Sequence, residues 1–86
     1  MPWCVYILRC ADGSLYTGAT NAMERRLAAH ESGKGARYTR GRAPLALVYC
    51  EPCEDRGEAL RREAAIKRLT TVRKRAMCAA LREGRA

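Results

Sequence analysis

The sequence predicts a small α+β domain with its elements in the order β-β-α-β-α-α. Three observations carry that expectation. Two β-rich runs, Trp3–Cys10 (WCVYILRC) and Leu15–Ala19 (LYTGA), flank a turn at Ala11–Ser14. A third short apolar run spans Leu45–Cys50 (LALVYC), and helix-start signals stand at Asn21, Asp55 and Thr70 or Thr71. The 86 residues are expected to form a single domain, 1–86, with a modest core drawn from Trp3, Val5, Ile7, Leu8, Leu27, Leu45, Leu47, Val48, Leu60, Ile66, Met77 and Leu81.

Side chains alternate faces along a strand, so Tyr6, Leu8 and Cys10 share one face of the first run, as do Tyr16 and Gly18 of the second. A two-residue Asp-Gly loop would put the two tyrosines on opposite faces. A three-residue loop, Ala11–Gly13 with Gly13 left-handed, pairs Leu8 with Tyr16 and brings both phenols to one side. The three-residue loop is expected. Gly18 then offers a bare patch of backbone beside the phenols, where a ligand can approach.

Asn21 and Glu24 fit a capping box for a helix running to about Ser32 and stopping at Gly33. Met23, Leu27 and His30 cluster within about 60° of arc, with Arg26 at the margin and Arg25 pointing nearly opposite. Arg26 and His30 lie one turn apart and are surface neighbours. By themselves these two also fit an arginine lying along the surface and a half-buried histidine with its ring satisfied.

Residues 33–44 (GKGARYTRGRAP) are polar, glycine-rich and basic. Lys34, Arg37, Arg40 and Arg42 around Tyr38 suit a phosphate backbone with a base to stack on, and equally a solvated loop. Leu45–Cys50 reads as the central strand. Asp55 and Glu58 cap a helix expected to reach about Leu69. With Leu60 as zero, Ile66 lies at about 240°, Ala59 at about 260° and Ala64 at about 40°, so Glu63 (about 300°) and Lys67 (about 340°) fall within the core-facing arc. A carboxylate there needs a partner, either Lys67 or a bound divalent cation. The third helix ends near Gly84. Met77, Ala80 and Leu81 form its apolar side and Arg73, Lys74, Arg75, Arg82 and Arg85 its basic side, as expected of a lid or buttress.

Seventeen basic residues against nine acidic ones give +8, and all the basic ones except Lys34, Lys67 and Lys74 are arginine. Such an excess points to an anionic polymer, most simply nucleic acid. No apolar stretch approaches membrane-spanning length and no signal-peptide pattern opens the chain, so a cytoplasmic protein with no membrane partner is expected. Five cysteines, Cys4, Cys10, Cys50, Cys53 and Cys78, are an odd number that argues against a disulfide framework. The lone Cys50–Cys53 pair lacks the second pair zinc would want, and reads as thiols filling strand positions, with a redox pair as the alternative.

Taken together, Cys4-Val5-Tyr6, Tyr16-Thr17-Gly18, Arg26, His30 and Glu63 within ALRREAAIK resemble the GIY-YIG nuclease domain over nearly the whole chain. YTGATNAMERRLAAH and GKGARYTRGR are similar to the wording of its small, stand-alone bacterial members. Cys4 stands where the first motif has Gly, and Thr17 where the second has Ile; both are backbone or packing positions. The resemblance implies a three-stranded mixed or antiparallel sheet flanked by helices, and Mg²⁺-dependent (or Mn²⁺-dependent) cleavage of phosphodiester bonds in DNA, with no small-molecule cofactor. It implies Glu63 as sole protein metal ligand, Tyr6 as general base or base-positioning group, and Tyr16 as a phosphate contact. Arg26 would stabilise the phosphorane charge and His30 orient Tyr6 or a water. Gly18, Lys34, Arg37, Tyr38, Arg40, Arg42 and Lys67 are the expected nucleic-acid contacts. Little sequence specificity is expected, with single-stranded or branched DNA in repair or recombination as substrates. The alternative is a non-catalytic basic module on the same fold.

Overall fold

A computed structural model describes residues 2–84, with side chains through residue 80. The expectations for the side chains of Leu81 and Arg82, and for Arg85, lie outside the described residues. Three antiparallel strands, β1 (Trp3–Arg9), β2 (Leu15–Thr20) and β3 (Ala46–Cys53), form one sheet in the order β2-β1-β3. The first strand is therefore the central one, where Leu45–Cys50 was expected. Bonded on both edges and covered on both faces, β1 holds Val5, Tyr6, Ile7 and Leu8 fully buried. The unbroken apolar run of β3 has another cause. Its register against β1 slips between Ile7 and Leu8, leaving Val48 as an extra residue, and Val48 and Tyr49 both turn to one face. Leu47, expected in the core, is exposed.

Each sheet face carries its own core. On one, Tyr6, Leu8, Cys10 and Leu45 pack with Tyr16 and with Met23 and Leu27 of α1 (Met23–Glu31). On the other, Val5, Ile7 and Cys53 meet Ala59 and Ile66 of α2 (Arg56–Lys67) and Met77 and Cys78 of α3 (Thr71–Gly84). Cys50 faces Tyr6 across the strands while Cys53 faces Trp3, three residues on. Strand alternation sends these two thiols to opposite faces, so the pair is neither a chelate nor a dithiol.

Helix termini follow local chemistry with two exceptions. Asp55 caps α2 by accepting the Glu58 N–H (2.8 Å), and the Glu58 carboxylate reaches back to the Glu54 N–H (2.8 Å). Thr70 caps α3 through the Arg73 N–H (3.2 Å). Gly33 (φ +80) ends α1, with the Gly33 and Lys34 N–H groups closing on the His30 and Ala29 carbonyls. Asn21, however, does not cap α1. Thr20 Oγ1 accepts the Ala22 N–H (3.1 Å) at the strand exit, and the helix starts at Met23 with no side-chain cap. Helix α2 stops at Lys67, two residues short of the expected end.

The β3 edge is clamped to α2. Arg62 grips Glu51 with two bonds (2.6 and 2.9 Å), and the Tyr49 hydroxyl donates to the same carboxylate (2.6 Å). Arg62 first, against burial, holds the Glu51 carboxyl below its usual range. A depressed folded pKa stabilises above the unfolded value of about 4.3, and that stability is lost as pH falls through the folded pKa. The Tm advantage of the wild type over Glu51→Gln should therefore be fully present at neutral pH and shrink once pH drops below about 4. Parallel Tm–pH curves for the two proteins would refute the clamp. No helix among the described residues is long and apolar enough to cross a membrane.

Candidate active site

Hairpin geometry sets the site. Cys10 and Ser14 close a three-residue loop (Cys10 N–H to Ser14 O, 2.8 Å) with Gly13 at φ +84, and the register runs Leu8 to Tyr16 and Tyr6 to Gly18. Both phenols therefore share the α1 face, as the loop-length argument requires. Two arginines hold the turn: Arg75 of α3 donates to the Gly13 carbonyl (3.0 Å), and Arg42 pairs with Asp12.

Tyr6 is fully buried, and its hydroxyl lies 2.9 Å from Nε2 of His30, itself 1% exposed. Burial first raises the phenol's pKa. The Arg26 guanidinium opposes that shift, while the charges of Tyr16 and Glu63 add to it. Burial, then the charge of Arg26, pushes the imidazole below its ordinary range, so His30 is neutral at pH 7. The Tyr6 phenol, and further down Tyr16, raise the pKa of half-buried Arg26. Arg25 points to solvent. The Tyr16 ring sits 6.3 Å from Tyr6 and 5.1 Å from His30, between the buried pair and the surface.

Glu63 arrives from the other helical layer. The buried stripe of α2 is narrow, Ala59 and Ile66, while Leu60 is exposed, so the core arc centres on Ile66 rather than on Leu60. Glu63 stands on the shoulder of that stripe, 19% exposed, paired with Lys67 (3.0 Å) and within electrostatic reach of Tyr6. Of the two partners expected for this acid, the structure supplies Lys67. Lys67, expected as a nucleic-acid contact, thus has a carboxylate partner on its own helix, with its side chain more than half exposed.

The bare backbone expected at Gly18 is corrected, and Arg42 has partners within the protein. Gly18 is buried, and a Cβ there would stand 2.5 Å from Tyr6 Oη and 2.6 Å from its Cζ. The glycine makes room for the phenol, so no bare backbone remains for a ligand. Arg42 ties residues 33–44 to the hairpin through Asp12 and Ser14, with its guanidinium 4.5 Å from the Tyr38 ring centroid. Tyr38 in turn stacks on Tyr16 (5.9 Å, 29°) and keeps 41% of its surface exposed. Lys34, Arg37 and Arg40 are solvent-facing, with no hydrogen bond or ion pair to their side chains among the described contacts.

Sequence reasoning missed Thr39 and Gly35. Thr39, in a short 3₁₀ turn at Arg37–Thr39, is 1% exposed with Oγ1 2.8 Å from His30 Nδ1. Gly35 presses its backbone on the imidazole: a Cβ would collide with Nδ1 and lie 2.7 Å from Cγ. Neither residue type signals this, because both are ordinary loop residues and Gly35 has no left-handed backbone.

The donor set bears on a metal. Among the described residues no group of three or more His, Cys, Asp or Glu side chains could hold an ion. Glu63 brings a carboxylate, a hard oxygen donor that would fit Mg²⁺ or Mn²⁺ and not the nitrogen and sulfur set of a zinc site.

Residues 2–76 match the model of the GIY-YIG catalytic domain. The chain belongs to the GIY-YIG family. Its curated relatives include the UPF0213 protein DP2720 of Desulfotalea psychrophila, 55% identical over 83 residues (95% of this chain, 76% of that one). Another is the UPF0213 protein VNG_2274C of Halobacterium salinarum, 47% identical over 73 residues (85% and 95%). The solution NMR structure of the UPF0213 protein BH0048 from Bacillus halodurans superposes with a TM-score of 0.60 at 45% identity, covering 93% of this chain and 85% of that one. GIY-YIG domains are of nuclease type, and this α+β architecture is theirs. At the two departures of the motifs, Cys4 pairs with Thr20, its thiol 4.0 Å from the Met23 sulfur, and Thr17 is buried opposite Ile7 with no hydrogen-bond partner for its hydroxyl among the described residues.

Proposed function

We propose that this GIY-YIG chain hydrolyses phosphodiester bonds of DNA with the help of a divalent cation and little sequence preference, on single-stranded or branched substrates such as repair and recombination generate. The observation that carries the reading is the buried Tyr6–His30 contact (2.9 Å), flanked by the one guanidinium and the one carboxylate that the reaction needs. Mg²⁺ or Mn²⁺ held at Glu63 supplies charge neutralisation on the phosphate and at the leaving oxygen. Tyr6 serves as the base that takes a proton from the attacking water. A free phenol titrates near 10, and burial raises Tyr6 further, so its activation depends on opposing positive charge. Arg26 supplies part of that charge and pairs with the equatorial oxygens as charge builds there. Tyr16, at the rim, can donate its hydroxyl to the phosphate. Exposed Lys34, Arg37 and Arg40 contact the backbone without reading bases, which favours salt-sensitive, sequence-independent binding.

One observation favours a second reading, a non-catalytic nucleic-acid-binding module: the Glu63 carboxylate already has Lys67 as a counter-ion. A panel of labelled single-stranded, duplex and branched DNA and RNA, each with Mg²⁺, Mn²⁺ or chelator, separates the two. Cleavage of DNA with either metal and none with chelator is the expected result. In the same assay Arg26→Lys, which keeps charge but loses the planar fork, should cleave about a hundredfold more slowly. Salt-dependent binding with no product under any metal would leave only the binding module.

A further inference from the structure

We infer that Thr39 is a positioning residue that fixes the tautomer of His30, with the ring proton on Nδ1 and the Nε2 lone pair turned to the Tyr6 hydroxyl. The argument counts protons along one buried line. Thr39 Oγ1 lies 3.0 Å from the Ala36 carbonyl and 2.8 Å from His30 Nδ1. A carbonyl oxygen only accepts, so the single hydroxyl proton of Thr39 goes to Ala36. The hydroxyl oxygen must then accept from Nδ1–H. A neutral imidazole has one ring proton, and which nitrogen holds it is set by the bond the other makes. Nε2 is left as an acceptor 2.9 Å from Tyr6 Oη, and the phenol donates to it. The opposing contact, from the Ala36 N–H to Nδ1, is 3.4 Å long, beyond the usual range of about 2.7–3.2 Å.

This deepens the hydrolytic reading and rests on it for its consequence. As Tyr6 takes the proton of the attacking water, its own hydroxyl proton passes to Nε2. The water oxygen–phosphorus bond forms while the bond to the leaving oxygen breaks. The resulting imidazolium keeps Nδ1–H on Thr39, whose hydroxyl oxygen stabilises the new charge. Three titratable groups face the ring: Tyr6 from β1, Tyr16 from β2 and Arg26 from its own helix, and none of them is hydrogen-bonded to Nδ1. Thr39 also sits between Arg37 and Arg40, in the segment proposed to touch phosphate. The relay is thus held by the same turn that meets the substrate.

His30 is the sole histidine of the chain, so nitrogen-15 NMR of histidine-labelled protein reads it without ambiguity. The full-length wild type, at a pH well above the ordinary imidazole value of about 6.5, should show a protonated Nδ1 and an unprotonated Nε2. In Thr39→Val the remaining neighbour of Nδ1 is the Ala36 N–H, a donor, so the proton should move to Nε2; Thr39→Ser should restore the wild-type pattern. In the cleavage assay Thr39→Val should fall by about a hundredfold and Thr39→Ser stay within about threefold. A wild-type ring protonated at Nε2, or a Thr39→Val ring still protonated at Nδ1, overturns the assignment. Because the wild-type spectrum alone tests the tautomer, a variant that fails to fold does not rescue the inference. Absence of cleavage by the wild type would sink the hydrolytic reading instead.

Discussion

Glu63→Gln should lower Mg²⁺-dependent cleavage by at least about a thousandfold, roughly 4 kcal/mol of transition-state stabilisation, while leaving DNA binding intact. The expectation follows from the poverty of the donor set. Among the described residues Glu63 belongs to no group of three or more His, Cys, Asp or Glu side chains that could hold an ion, so its carboxylate is the ligand the proposal depends on. The isosteric amide keeps the shape of the α2 shoulder. It loses the ion pair to Lys67, whose side chain is more than half exposed. Stability should change little, since such exposed i,i+4 pairs contribute only about 0.3–0.5 kcal/mol. Binding measured with chelator should be unchanged or slightly tighter, because one negative charge is gone from a basic protein. Single-turnover cleavage at matched enzyme excess, beside a binding titration, checks both halves. Wild-type cleavage by Glu63→Gln would eliminate the assigned metal ligand.

Gly18→Ala should be the most damaging single-methyl change in the hairpin. Its Cβ would stand 2.5 Å from Tyr6 Oη and 3.1 Å from Tyr16 Cε2, inside a strand pair with no solvent to yield into. The phenol must swing away, breaking its bond to His30. Overpacking costs about 1–3 kcal/mol and the lost buried hydrogen bond about 1 more. For a chain of this size the Tm should drop on the order of 10–20 °C. Cleavage should fall with it, since the displaced group is the proposed base. Gly13→Ala is the control. A Cβ there meets nothing within 4 Å, but φ is +84, so the cost is purely conformational, about 1 kcal/mol, and the active site is untouched. Equal Tm losses for the two variants would contradict the packing of Tyr6 against Gly18.

The hairpin was legible from the sequence because its register is a local property. Loop length and one left-handed glycine decide which residues face each other, and Leu8 does oppose Tyr16. The caps of α2 and α3 were legible for the same reason, while Asn21 failed because Thr20, still in the strand, reached the Ala22 N–H first. Strand order was misread because a bulge placed Val48 and Tyr49 on one face, imitating the continuous apolar run of a buried central strand. The polar partners were the least legible. Arg42 looked like the other loop cations until Asp12, thirty residues earlier, claimed it.

What the sequence determined by itself was the order of elements, the facing of the two tyrosines, the side of α1 carrying Arg26 and His30, and the family. The first three follow from spacing within one or two turns or strands, and the family from the resemblance of motifs spread over nearly the whole chain. The tertiary structure decided which strand is central, that Gly18 exists for the Tyr6 phenol, that Lys67 answers Glu63, and that Thr39 and Gly35 hold the imidazole. Those outcomes depend on where a hydroxyl, a methyl-sized gap or a counter-charge comes to rest when distant segments pack. Hydrophobic periodicity brings such segments together without specifying their polar contacts.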